Sequence, residues 1–325
     1  MKSKLFIFLF LCVISLHSKG QFYFYNDEFY DNAVTFEAGL SVGPMNSLTD
    51  VGGRKGKGTS GAKDLNMNST TLFGSIYVSA IYRHSFGLRL EGTLGRVQSN
   101  DSLLAGVKNT AIGRYNRNLS FRSPIAEVAL IAEFHPLDFI NQFKPEPSSA
   151  SLSPYLLAGV GFFHFNPQAS LNGRWIDLQP LHTEGEGFAE YPDRLNYKLN
   201  QFNIPFGIGL AYEVSPKVKV RVEYINRKLS TDYLDDVHST YIDPSLFSKY
   251  LSGTKLQQAL ILNNRGRPEA LPSETTATPG SRRGNPKDND SYFTLNFKVG
   301  IVFGRKRISS DNKFSRRQYS SPTRF

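Results

Sequence analysis

Cysteine is nearly absent from this 325-residue chain. The single one, Cys12, lies inside an apolar run near the start. That excludes a disulfide framework, and removal of the run would also exclude a thiolate nucleophile or a cysteine-ligated metal. Long apolar stretches are missing too. Leu5 to Leu16 is too short to cross a bilayer as a helix, and nothing after it is longer. Histidines are few, and His84, His135, His164, His182 and His238 show no HExxH or comparable metal-ligand spacing. No Gly-x-Ser-x-Gly elbow supports a hydrolase. The glycine-rich Arg54-Lys55-Gly56-Lys57-Gly58 stretch lacks the strand–helix context of a phosphate cradle. No cofactor and no metal are expected from these patterns. Tryptophan occurs once, at Trp175. With 40% apolar and 20% charged residues, the composition is neither that of a disordered chain nor that of a helical membrane protein.

What is present begins with an export signal. Lys2 and Lys4 precede the apolar Leu5–Leu16 run, and His17-Ser18-Lys19-Gly20 is a plausible cleavage zone, so residues 1–20 read as a secretory signal peptide.

Beyond it, apolar and polar residues alternate in eight segments. Ala33 to Gly43 sets Val34, Phe36, Ala38, Leu40 and Val42 against Thr35, Glu37, Gly39 and Ser41. The pattern returns, with differing clarity, in Leu72–Arg83, Phe86–Arg96, Pro124–Phe134, Tyr155–Phe165, Gln201–Val214, Val218–Asn226 and Tyr292–Gly304. A period of two identifies strands with one apolar and one polar face. Each is about 9–11 residues long, the length of a membrane-crossing strand. The connections after strands one, three, five and seven are long, whereas those after two and six are tight. The fourth connection is longer, and within it Pro136 to Phe143 has the pattern of a short amphipathic helix at the inner interface. Strand count and loop parity predict an all-β fold: an eight-stranded antiparallel transmembrane β-barrel with long outer loops and short periplasmic turns. Residues 33–304 form the barrel in this reading. Residues 305–325 form a basic, disordered periplasmic tail, where seven Lys and Arg face only Asp311. A soluble sandwich or lipocalin-like barrel also alternates. The even strand count and nearly charge-free apolar faces favour the membrane.

The polar faces carry Glu37, Glu91, Glu127, Glu133, Glu213 and Glu223 beside Arg89, Lys219, Arg221 and Lys298. An eight-stranded barrel is narrow enough to be filled by its own side chains, so these residues predict a lumen closed by ion pairs. Asp232, Asp235, Asp236, Asp243, Asp288 and Asp290 gather at the ends of the longest loop. They suit either a divalent cation or, more simply, a loop base paired with Arg282 and Arg283. A loop tryptophan such as Trp175 can anchor packing on the barrel rim. In the basic tail, Arg305, Lys306, Arg307, Arg316 and Arg317 are candidate contacts for a partner or for lipid headgroups.

Six strings occur in order: Ser153–Gly161 (SPYLLAGVG), Phe165-Asn166-Pro167, Gly173–Gly185 (GRWIDLQPLHTEG), Gln201–Gly209 (QFNIPFGIG), Thr231–Val237 (TDYLDDV) and Arg283–Asp290 (RGNPKDND). Together they resemble the PorG-like outer-membrane β-barrel family of the Bacteroidota, over about residues 33–304. The resemblance implies a non-enzymatic outer-membrane barrel that anchors or assembles a type IX protein secretion complex. Its partners would be outer-membrane lipid and the periplasmic ring of that machine, with no nucleic acid. The residues themselves also have a structural reading: Glu184, Asp232, Asp235, Asp236, Arg283 and Asp288, with Trp175, are candidates to organise the outer loops into a packed cap. Two other functions fit a barrel of this kind: an enzyme acting on lipid or peptide, and a surface adhesin using the long loops.

Overall fold

The computed structural model describes residues 29–52, 67–105, 112–143, 152–267 and 277–307. The expected signal peptide and the Arg54–Gly58 stretch lie outside the described residues, as do Arg316 and Arg317. Ten strands are present among those described: β1 (Phe29–Leu48), β2 (Thr71–Tyr82), β3 (Phe86–Asn100), β4 (Ser120–Phe134), β5 (Leu152–Phe165), β6 (Gln168–Leu171), β7 (Arg174–Asp177), β8 (Asn200–Ser215), β9 (Val218–Leu229) and β10 (Ser291–Arg307). Eight form a closed antiparallel barrel in the order β1-β2-β3-β4-β5-β8-β9-β10, and β10 pairs back onto β1. The remaining two make a hairpin that continues β4 outward through the Arg122–Gln168 pair.

The alternating pattern is what closes the sheet. One face of every barrel strand is apolar and exposed: Leu40, Leu94 and Ile208 are 65%, 69% and 61% accessible. The opposite face is polar and buried, with Glu37, Arg89, Glu91, Glu133, Arg221, Glu223 and Lys298 each at 2% or less. In water that arrangement is inverted. It is stable where the outer medium is hydrocarbon, because closure satisfies the backbone hydrogen bonds and lipid covers the apolar face.

Connections at one end are short. Arg83 and His84 both take left-handed backbone in the three-residue connection between β2 and β3, which lets the tight turn follow strand twist. Ser215 caps the β8–β9 turn by accepting hydrogen bonds from the Lys217 and Val218 N–H groups through Oγ. The fourth connection contains the helix its pattern suggested, over Pro136–Asn141. Phe139 of this helix packs edge-on against Phe86 and tilted against Phe134 at the foot of the barrel.

At the other end the strands outrun the apolar belt, and the rule of which side is wet reverses. Inward residues there are apolar: Met45, Phe73, Val97, Phe121, Ile125, Phe163 and Phe165 are all buried. Outward residues such as Arg96, Gln98 and Arg122 are polar. Val51, Leu119, Tyr197, Leu234 and Val237 descend from the loops and pack onto this apolar mouth. A second apolar cluster above it joins Leu178, Leu181, Phe188, Ile242 and Phe247 to Ala259 and Leu262 of the Gly253–Asn263 helix.

Most strands run beyond the bounds their pattern predicts, and two of these extensions carry lumen charges. β10 continues through Arg305, Lys306 and Arg307, which pair with Asp31, Tyr30 and Phe29, so the tail begins later than residue 305. β9 runs on to Leu229, past the point where its outward face turns polar at Asn226 and Lys228.

Candidate functional site

The lumen holds a layered ion-pair network. Arg89 is at its centre. Its Nε lies 3.1 Å from Glu91, and its NH1 lies 2.9 Å from Glu133 and 2.6 Å from Glu223. Arg221 bridges Glu37 and Glu133 at 2.5 and 2.8 Å. Lys298 reaches Glu91 at 2.5 Å and Glu223 at 3.3 Å. Lys219, half-buried nearer the short-turn end, acts on Glu37 through space.

Glu127 was grouped with Arg221 on the polar face, but its partner is Arg227, 2.6 Å away. Arg227 escaped the sequence reading because apolar alternation in β9 stops at Asn226. The parity of Arg221, Glu223 and Ile225 would have placed it inward. Glu213 pairs with Arg305 near the short turns. Arg305 is therefore held by the barrel, with its NH1 also donating to the Pro216 carbonyl at 2.7 Å. Adding Arg227 and Arg305 turns an acidic excess into a balanced set of six acids and six bases. Balance is what a restricted interior requires, since a lone charge there is strongly unfavourable.

Tyrosines complete the packing. Tyr77 donates to Glu37 at 2.6 Å, while Tyr155 and Tyr292 donate to Glu223 and Glu127. Lys298 Nζ sits 4.6 Å from the Tyr77 ring centre. Glycine makes room: a Cβ on Gly209 would overlap the Tyr155 ring. Among the described residues, the lumen is filled by these packed and paired side chains.

The cap is equally organised. Glu184 is fully buried and accepts from the His238 and Ser239 N–H groups, the Ser239 hydroxyl and Arg283 at 3.0, 2.7, 2.8 and 2.9 Å. Asp236 accepts from Thr183 and Tyr197, both at 2.6 Å. Asp235 accepts from the Val51 and Val237 N–H groups, tying the first loop to the longest one. Asp232 pairs with His238 Nδ1 at 2.8 Å, and Asp288 receives the Asn285 side chain at 2.9 Å. Asp290 accepts from the Leu234 N–H. Trp175 lies on the β6–β7 hairpin, its ring 3.9 Å from the Arg122 guanidinium. Burial pushes the Asp235 carboxyl up to about 8, with Asp50 adding repulsion, and Glu186 up to about 8 beside Asp236 and Glu184. Asp232 is raised by burial and by Asp235. Among the described residues no cluster of three or more metal-type ligands has a metal-binding arrangement. The acids are spent on backbone N–H groups, on hydroxyl, amide and imidazole donors, and on Arg283. Arg282 donates to the Gly284 carbonyl.

At the short-turn end, His135, Ser153 and Asp138 come together. Ser153 Oγ donates to Asp138 and meets His135 Nδ1 at 3.0 Å, while His135 Nε2 faces Glu133 at 3.4 Å. The serine hydroxyl is directed at the aspartate and all three residues are buried, so the trio is a packed joint between the helix and β5.

Neither a protein-family model nor a curated protein sequence matches this chain. Solved structures that resemble it are outer-membrane proteins. Ail, the attachment invasion locus protein of Yersinia pestis, in complex with a heparin analogue, aligns at 11% identity and TM-score 0.35, covering 82% of this chain and 99% of that one. OprG from Pseudomonas aeruginosa gives 11% and 0.33, with 84% and 97% covered. Outer membrane protein W of E. coli gives 11% and 0.30, with 84% and 100% covered. The assignment itself rests on this chain's own pairing and burial. Eight closed antiparallel strands, a lipid-facing apolar belt and one-sided loops define an outer-membrane β-barrel.

Proposed function

We propose that this barrel is a non-enzymatic anchor that holds or assembles a type IX protein secretion complex through periplasmic partners. The observation that carries the reading is the filled lumen. Among the described residues, Arg89, Arg221, Arg227 and Lys298 are all committed to carboxylates, which favours a barrel wall that supports partners over one that conducts. What remains for a working surface is the capped outer end, the lipid-facing wall and the short-turn end from which the tail departs. The ordered strings from Ser153 to Asp290 support secretion as the setting. The cap supports this role over catalysis, because its carboxylates are buried against one another and against backbone.

The test is recovery of partners from native membranes with a tagged full-length chain. Periplasmic ring components of the secretion machinery are expected among the co-purifying proteins. Deleting residues 308–325, while keeping Arg305 to Arg307, should leave barrel insertion normal and weaken that recovery in a salt-sensitive way. Recovery of the barrel with none of these components would overturn the proposal.

A further inference from the structure

The barrel wall is electrically uneven where it leaves the hydrocarbon. On β3 the outward residues climb from Phe86 through Leu88, Leu90 and Leu94 to Arg96. On the neighbouring β4 they climb from Phe134 through Leu130, Val128 and Pro124 to Arg122. Arg96 is paired with Pro124 and Gln98 with Arg122, so the two arginines are diagonal neighbours on one face. They are close enough to repel. A third guanidinium, Arg265, comes down from the cap and donates to the Ser120 hydroxyl at 3.0 Å, one outward position above Arg122. Among the described residues, none of the three forms a salt bridge. The nearest acid acting on Arg122 is Asp177, which already accepts from Asn166 and Gln168. Elsewhere the outward face offers at this step His164, Asn200, a single Lys228 or Ser291.

Arg122 is also held in place. Its Nε donates to Gln168 at 2.8 Å, and its plane lies over the Trp175 ring. The two terminal nitrogens of the fork are left for an anion. A guanidinium fixed by stacking and one hydrogen bond is set to grip phosphate bidentately, and little side-chain entropy remains to be lost. A half-exposed tryptophan at the edge of an apolar belt sits at the headgroup level.

We propose that the outer end of the β3–β4 wall binds a phosphate group of an anionic outer-leaflet lipid, held by Arg96, Arg122 and Arg265 beside Trp175. The occupant is a lipid because Arg96 and Arg122 are continuous with the lipid-facing belt: Leu94 and Pro124 are one outward step below them. Acyl chains lying along β3 and β4 bring a headgroup phosphate to this height. The inference goes beyond the anchoring role and does not depend on which proteins the barrel assembles with.

Trp175 is the only tryptophan, so its fluorescence reports on this site alone. The full chain, refolded into phosphatidylcholine vesicles, is titrated with diphosphorylated lipid A and, separately, with the same lipid stripped of its phosphates. The wild type should give a saturable change with the first and none with the second. R96Q/R265Q leaves the Arg122–Trp175 reporter intact and should bind about tenfold or more weakly. Lys228→Gln, on a distant strand, should bind like wild type, and unheated gel mobility confirms that each variant is folded. Equal binding by R96Q/R265Q, or equal binding of the dephosphorylated lipid, would overturn the proposal. So would full competition by millimolar inorganic phosphate, which would mark a small-anion site instead.

Discussion

Replacing Arg89 by Met tests whether the barrel interior is held by charge balance. The side chain is wholly buried and touches three carboxylates at 2.6 to 3.1 Å. Methionine fills similar length without charge. Glu91 and Glu223 would keep only Lys298, and Glu133 would keep Arg221. Three carboxylates would then share two cations, and Arg221 would still be engaged with Glu37. Breaking a buried pair on one side costs about 3–5 kcal/mol, or roughly two to four powers of ten in the folded-to-unfolded ratio. The readout is urea unfolding in lipid vesicles, followed by the mobility of unheated samples on a gel. A second variant makes the reasoning strict. R89M/E223Q removes one negative charge, keeps an acceptor for the Tyr155 hydroxyl, and should recover a substantial part of the loss. If R89M unfolds with the wild type, or if the double variant is no more stable than R89M alone, charge balance is not what holds the lumen.

Three further outcomes follow from the same geometry. Ile208 is 61% exposed in mid-strand, so Ile208→Lys should weaken assembly by about 2–4 kcal/mol, measured as the yield of folded band on refolding into vesicles. Planar-bilayer recording of the wild type should show no steady open conductance. The cap should loosen as pH rises. Asp235 is raised to about 8 by burial, so the folded cap keeps a proton that the unfolded chain releases above its ordinary value of 3.8. Its contribution is full below that value and fades as pH climbs to about 8. Hydrogen exchange at the Val51 and Val237 amides, corrected for intrinsic rate, should therefore be faster at about pH 9 than at about pH 6; equal protection would show that Asp235 is ionised throughout.

The eight barrel strands were legible because, inside the bilayer, one rule governs the outward face, which is apolar, while the inward face is polar apart from a small apolar cluster at Ala129, Ile131, Leu157, Ala211 and Ile225. Above the belt the rule reverses, and there the pattern misled. Met45, Val97 and Phe121 are apolar yet inward, so the ends of β1, β3 and β4 read as loop. The β6–β7 hairpin and the Gly253–Asn263 helix lie wholly in that upper region, and the helix buries only Ala259, Leu262 and Asn263, too few for a clear period. Inward parity was readable for ten of the twelve lumen charges. Partner choice was not, since it depends on which side chains face one another across a closed cylinder. Glu127 and Arg227 are a hundred positions apart and meet only because β4 and β9 lie on opposing walls.

The seam between the first and last strands gives the polar core its timing. Fourteen register pairs join β1 to β10, so the cylinder is open until the final strand arrives. Until then Lys298 cannot reach Glu91 across 207 positions of chain, and no seam holds Glu37 opposite Arg221. The charges that meet across the closed cylinder are therefore brought together, and shielded from water, only when β10 arrives. Contacts of such long sequence separation make folding slow. They also make it self-checking. A chain truncated before β10 keeps its ionised interior wet and cannot offer the bilayer a sealed wall, so incomplete copies remain outside the hydrocarbon.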